Sequence, residues 1–365
     1  LLKQEDYRTG FFGKWHLGTL SRYVRESNRG GLRGAAHYSP PWHHGFEVTF
    51  ASEAKLPTYD PMVQRIGGGR KWWNPVEHPD SARSYETYYW RNPGEVAVEN
   101  VKGDNSRVIM DRAAPFIRSQ AGQDRPFFAV IWFHTPHLPV VAGREDRAPY
   151  ENLDPYIRHY YGSITAMDEQ IGRLRRLLRE TGAAEHTILW FTSDNGPEHW
   201  PEDAPGSAGP FRATKRSLYE GGVRVPTLLE WPARIEQARS TDLAAVTTDI
   251  TPTIAAILDL EMGKKVPVDG ISLLPAIRGE IAERPDPIAF WHQGRLALSG
   301  PRYKLIRPKE SASFELYDLR EDPSETTDLS AEQPARVERM RDQLRSWQQS
   351  VQASRETLGL PPFGQ

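Results

Sequence analysis

From residue 104 onward, apolar and polar positions fall into blocks that read as helix, strand, helix, strand. Asp104 stands where a helix N-cap belongs, ahead of a helical segment reaching about residue 119. Residues 127–133 are an unbroken apolar run, the pattern of a strand buried on both faces. Ile164, Met167, Ile171, Leu174 and Leu178 recur at spacings of three and four, and Gly182 stops the helix they define. Further strands are predicted at 187–192 and 227–231, and a helix at about 249–258. Helices alternating with apolar strands across short links predict an α/β layer with parallel strands.

The ends of the chain read differently. Residues 1–9 look like the end of a helix, with a short strand following over 11–17. Residues 19–100 are rich in Gly, Pro, Trp and Tyr and keep no period, which predicts functional loops rather than regular elements. Near residue 283 the character changes. Runs at 303–306 and 314–317 suggest an antiparallel hairpin, and Val337, Met340, Leu344, Trp347 and Val351 line one face of a last helix. Ser330 with Gln333 fits a capping box at its start. The expected organisation is a main domain over 1–282 and a small α+β subdomain over 283–365.

Composition narrows the function by exclusion. A net charge of -2 with 26% charged residues gives no reason to expect nucleic-acid binding. The absence of cysteine leaves no disulfide framework, thiolate metal site or Cys nucleophile within these 365 residues. No apolar run approaches the roughly 18 residues of a membrane span. Gly67-Gly68-Gly69-Arg70-Lys71 lacks the spacing of a phosphate-binding P-loop.

Chemistry gathers where the predicted strands end. His134-Thr135-Pro136-His137 follows one and Ser193-Asp194-Asn195-Gly196 another, and ligands of open α/β sheets bind beyond the carboxyl ends of strands. Asp194 and Asn195 offer hard oxygen donors, suited to Ca²⁺ or Mg²⁺, although Asp-Asn-Gly is also turn chemistry. Lys14 and His16 stand two apart on a predicted strand. They should therefore share a face, as a cationic, proton-donating surface for an anion. Lys215, ahead of the Gly-rich stretch 219–226, would by itself pass for a surface lysine.

Together these segments carry more. GKWHLG at 13–18, TPHLP at 135–139, TSDNG at 192–196, KRSLYEGGVRVP at 215–226 and ELYDLREDPSETTDL at 315–329 stand in the order found in formylglycine-dependent sulfatases of the alkaline phosphatase superfamily, which the whole chain resembles. The resemblance implies a large mixed, mostly parallel sheet flanked by helices, with a small C-terminal α+β subdomain. It implies that Lys14 contacts nucleophile and sulfate, that His16 assists the nucleophile's hydroxyl and sulfate release, and that His137 binds sulfate and protonates the leaving oxygen. Lys215 matches the second sulfate-binding lysine, and Asp194 and Asn195 match two ligands of the cation, usually Ca²⁺, with Mg²⁺ as the variant. All six side chains are then expected around one tetrahedral oxyanion.

The chain also departs from that family. The Cys/Ser-x-Pro-x-Arg motif that becomes formylglycine is absent, and the nearest look-alike, Tyr38-Ser39-Pro40-Pro41, lies after GKWHLG, whereas the family places the motif well before it. The upstream Asp-Asp pair of the metal site is missing too. An N-terminal truncation is therefore expected, with the nucleophile encoded upstream of residue 1. The implied substrate is a sulfate ester, most readily a sulfated carbohydrate. Trp42, His43, His44, Trp72, Trp73 and Trp90, with Arg70 and Lys71, are candidates for its subsites. Phosphomonoester or phosphonate hydrolysis, and non-catalytic binding of sulfated glycans, are the competing readings. Family resemblance further implies a periplasmic or secreted protein.

Overall fold

Phe11 and Phe12 sit back to back in one strand, on opposite faces of a sheet, and both are fully buried. A strand that must bury both faces belongs at the centre of a layered α/β unit. The computed structural model describes residues 1–26, 35–123, 125–198, 204–263 and 267–362, and these form two units, Leu1–Thr187 and Ile188–Gln365.

In the first unit the strands are β1 (Arg8–Lys14), β2 (Val48–Ser52), β3 (Val63–Arg65), β4 (Ala82–Ser84), β5 (Tyr89–Arg91), β6 (Glu95–Val96) and β7 (Phe127–Trp132). Five of them make one sheet in the order β6-β5-β2-β1-β7. β1 runs parallel to β2, with Lys14 opposite Ser52, and parallel to β7, with Gly13 opposite Trp132. β5 and β6 add antiparallel strands at one side, so the sheet is mixed with a parallel centre. Helix α1 (Asn105–Gln120) packs on β1 and β7, and α2 (Pro155–Glu180) packs on α1. Asp104 caps α1 as expected, accepting the Arg107 N–H at 2.8 Å.

In the second unit, β8 (Leu189–Thr192) pairs with β9 (Thr227–Glu230), followed by helix α3 (Ile250–Ile257). β10 (Ile288–His292), β11 (Arg295–Ser299), β12 (Tyr303–Arg307) and β13 (Glu315–Asp318) then form an antiparallel meander against helix α4 (Pro334–Thr357). Leu296, Leu298, Leu305 and Leu316 from the sheet meet Met340 and Leu344 from α4 in a shared core. Each such side chain contributes about 1.5–3 kcal/mol by leaving water.

Several expectations are corrected. Residues 2–5 form only a single 3₁₀ turn, and the first strand starts at Arg8 and stops at Lys14. The stretch expected to be irregular holds β2 to β6; the last four of the five residues of β2 are buried on both faces, so it lacks the alternation that betrays a strand. Residues 27–34 of that stretch lie outside the described residues. β7 is only half-buried, and β8 pairs antiparallel with β9 rather than joining a parallel array. The C-terminal hairpin is two strands of a four-stranded sheet. Finally, Pro334 opens α4 and no side chain caps it, because the Ser330 N–H and hydroxyl both bond Asp328 instead. Pro tolerates that first helical position because its missing N–H would have no partner there.

Candidate functional site

The parallel register brings the carboxyl ends of β1, β2 and β7 together, and each delivers polar residues. Gly13 is required at the end of β1. Its φ is +117°, and a Cβ there would lie 1.9 Å from the Trp132 carbonyl oxygen. Beyond Lys14 the chain leaves the strand. The Trp15 N–H donates to Ser52 O at 2.8 Å and the His16 N–H to Glu53 O at 2.9 Å, with His16 itself at φ +50°. The alternation that should have put Lys14 and His16 on one face therefore ends at Lys14. What fixes the turn is Trp15, which is buried edge-on to Phe11 and donates its ring N–H to Ser39 O at 2.7 Å.

His134 organises this end of the sheet. Its Nδ1 accepts the Leu56 N–H at 3.2 Å, which places the ring proton on Nε2, 3.1 Å from Ser52 Oγ; the Ser52 hydroxyl in turn donates to Ala54 O at 3.0 Å. Burial holds the imidazole well below its ordinary pKa, and the charges of Lys14, His137 and His16 push it the same way. The charges of Lys14, His16 and His137 are thus felt at one buried ring that disfavours its own protonation. The motif that pointed to His137 contains His134 as well, but only the fold separates the two roles. His137 donates its backbone N–H to His134 O at 2.7 Å, and its Nδ1–H to Leu138 O at 2.7 Å. A carbonyl can only accept, so Nδ1 keeps its proton and any further proton exchange falls to Nε2.

A second buried histidine supports the segment after His137. His159 Nδ1 accepts the Ala142 N–H at 3.0 Å, and Trp72 stacks on the ring at 5.2 Å. Burial, then Arg147 and Arg158, lowers its pKa to about 3. A histidine depressed in the fold supports stability above its unfolded pKa, roughly 6.5, and that support is lost as pH falls. His159→Gln should therefore narrow its stability gap to the parent by about 1.4 kcal/mol per pH unit below roughly pH 6.5. Urea unfolding of both proteins at several pH values checks this; a gap independent of pH would show that His159 is not held neutral.

The tryptophans expected to offer stacking faces do something else. Trp73 and Trp90 are each 4% exposed, Trp42 packs against the cluster containing Trp15 and Trp90, and Trp72 is taken by His159. They hold the loops in place.

In the second unit, the Asp194–Asn195 loop is sewn to the Gly-rich stretch. Gly196 N–H donates to Gly222 O at 2.9 Å and Lys215 N–H to Pro197 O at 2.9 Å. The two backbones approach so closely that a Cβ on Gly196 would lie 1.9 Å from Gly221 O. Lys215 stands between Ala213 and Arg216, non-glycine residues at φ +61° and +75°, a left-handed strain that accumulates where geometry serves a function. The C-terminal sheet secures this loop. Arg212 donates to Tyr317 Oη and to Glu325 O, both at 2.9 Å. Glu220 and Glu325 share the fully buried Lys304 ammonium, at 2.9 and 3.0 Å.

Asn195 donates its amide N–H to Gly196 O at 2.8 Å, which leaves Oδ1 as an acceptor beside the exposed Asp194 carboxylate. This donor set is all oxygen and fits a hard divalent cation in kind, but such an ion takes about six to eight oxygens and these two residues supply only part of them. Among the described residues no group of three or more His, Asp or Glu is arranged to hold a metal. No described helix is long and apolar enough to cross a membrane.

Comparison with known proteins gives these residues a setting. Residues 1–260 match the family described as Sulfatase, and residues 209–352 match N-sulphoglucosamine sulphohydrolase, C-terminal. A protein called Sulfatase from Formosa agariphila is 28% identical, over 95% of this chain and 68% of its own length. N-acetylgalactosamine-6-sulfatase of Rattus norvegicus is 27% identical over 83% of this chain and 52% of its own, and steryl-sulfatase of Mus musculus 33% identical over 83% and 54%. The chain thus spans about half the length of these mammalian relatives. In fold it is similar to Ps i-CgsB in complex with k-i-k-neocarrahexaose, with a TM-score of 0.76 at 23% identity over 95% of this chain and 72% of that one.

Proposed function

Because the chain belongs to the sulfatase family, we propose that the whole protein hydrolyses a sulfate ester to release inorganic sulfate, and that its substrate is a sulfated carbohydrate. The observation that carries this reading is the parallel register of β1 and β7, whose carboxyl ends lead into Lys14 and His16 on one side and into His134 and His137 on the other. Such a group suits an anion whose leaving oxygen needs a proton. Relatives named N-acetylgalactosamine-6-sulfatase, and a similar fold crystallised in complex with k-i-k-neocarrahexaose, support the carbohydrate.

In this reading Lys14 and Lys215 bind the sulfate oxygens and stabilise the charge that grows on them as the ester bond breaks. His137 delivers a proton from Nε2 to the departing oxygen; its Nδ1–H bond to Leu138 O orients the ring and stabilises the imidazolium that serves as donor. His16 handles the proton of the nucleophile's hydroxyl. His134, held neutral, positions the others without adding repulsive charge. Asp194 and Asn195 would bind a Ca²⁺ or Mg²⁺ ion, which supplies fixed positive charge to the sulfate group. The nucleophile is proposed to be a formylglycine contributed by sequence outside these 365 residues, which contain neither Cys nor a Ser-x-Pro-x-Arg motif. Export from the cytoplasm is part of the same proposal.

Two assays test it. The full-length protein should release sulfate from an aryl sulfate faster than phosphate from the matching aryl phosphate; the reverse preference rejects the sulfatase reading. The 365-residue chain alone should give no multiple turnover and bind Ca²⁺ weakly by calorimetry. Steady turnover by it would reject the external nucleophile.

A further inference from the structure

The loops strapped alongside the His134–Val141 segment carry two cations, Lys55 and Arg70, that face no carboxylate among the described residues. The first loop follows β2: Leu56 N–H bonds His134 Nδ1 at 3.2 Å, Thr58 N–H reaches Pro139 O at 3.4 Å, and Thr58 Oγ1 donates to Val141 O at 2.6 Å. Lys55 sits in it between the fully buried Ala54 and Leu56, itself half-buried. The second loop is fastened by Val140 N–H to Lys71 O at 2.8 Å, by the pairing of Trp72 with Val140, and by the buried Trp73. Arg70 is exposed in it.

Elsewhere in this unit arginines find carboxylates, as Arg8 does with Glu47, Arg91 with Glu95, and Arg173 with Asp111. Lys55 and Arg70 have no carboxylate within ion-pair distance among the described residues. Instead, Lys55 has its ammonium discouraged by burial and further by the charge of Arg70. Both loops are fastened to residues 134–141, so they carry two like charges to the same segment, one of them half-buried, with no counter-ion among the described residues, and are poised for an anion from outside. Their loops flank the segment that holds His134 and His137, so the anion would arrive with the substrate.

We infer that Lys55 and Arg70 form a second anion site, for a carboxylate or a further sulfate on the glycan that carries the scissile ester. The preferred substrates are then polyanionic glycans rather than singly sulfated alcohols. This rests on the proposed reading of His137 and its neighbours as the place of sulfate hydrolysis. It also moves glycan recognition from the tryptophans, which are occupied in holding loops, to paired cations.

The test uses the full-length enzyme with Lys55→Gln, Arg70→Gln and the double substitution. The probes are hexosamine 6-sulfates that are otherwise neutral, that bear a second sulfate, or that are linked to a uronate. Each single substitution should lower the ratio of kcat/KM for doubly over singly charged sugars by about tenfold, carried in KM. The double substitution should lower it further, and salt should erode the parent's preference. Loss with the second sulfate but not the uronate, or the reverse, identifies which anion is read. An unchanged ratio for both overturns the inference. Should the parent release no sulfate at all, the hydrolase reading fails by itself, and calorimetry decides the anion site. The double variant must then bind the disulfated hexosamine at least tenfold more weakly than the parent; equal binding ends the proposal.

Discussion

Full-length protein carrying His137→Ala should lose about two to four orders of magnitude in kcat/KM on alkyl sulfate esters, the range a positioned general acid supplies. The loss should be much smaller on aryl sulfates with electron-withdrawing groups, because their phenolate leaves without a proton. That dependence separates proton donation from simple sulfate binding, which would be missed equally by both classes. The geometry supports the sharper outcome: Nδ1 is committed to Leu138 O, so a single nitrogen, Nε2, can serve the leaving oxygen. Steady-state rates over a series of leaving groups measure it, and a uniform loss would reduce His137 to a binding residue.

The second large effect is one of stability. Lys304 is fully buried in β12, with its ammonium 2.9 Å from Glu220 and 3.0 Å from Glu325. Glu325 also accepts the Glu220 N–H at 2.6 Å, so three segments distant in sequence meet at one charge. Lys304→Met keeps the volume but strands two carboxylates out of water, at a cost of about 3–5 kcal/mol. The deficit should shrink in acid. Burial raises the pKa of Glu325, so the folded state holds its proton to higher pH than the unfolded chain does, and protonation relieves the stranded charge as pH falls. Lys304→Met/Glu325→Gln should recover part of the loss at neutral pH. Urea unfolding of the variants near pH 7 and near pH 5 checks both statements. A deficit that does not change with pH would mean that lost packing, not buried charge, is responsible.

Lys304 also gives the C-terminal subdomain a purpose that its sequence hides. Nothing in residues 283–365 reads as chemistry. Yet β12, β13 and the Glu325 turn grip the stretch holding Lys215, and that stretch is in turn bonded to the Asp194–Asn195 loop. A change in this sheet can therefore reach the candidate residues without touching them.

The sequence by itself determined the family, the α/β class and helices α1 to α4, and it nominated six candidate residues, because ordered motifs and helical periodicity are local properties of a chain. It also located β7, β8, β9, β12 and β13 to within a few residues. Tertiary structure alone decided the rest. β2 is buried on both faces and shows no period, so only its pairing with β1 reveals it. The departure of His16 from the strand depends on backbone bonds to residues nearly forty positions away. The depressed pKa of His134, the silent tryptophans and the placement of Lys55 and Arg70 away from any described carboxylate all follow from which loops are pressed together and how dry they become. Burial and charge proximity are sums over the folded neighbourhood, and no window of sequence contains them.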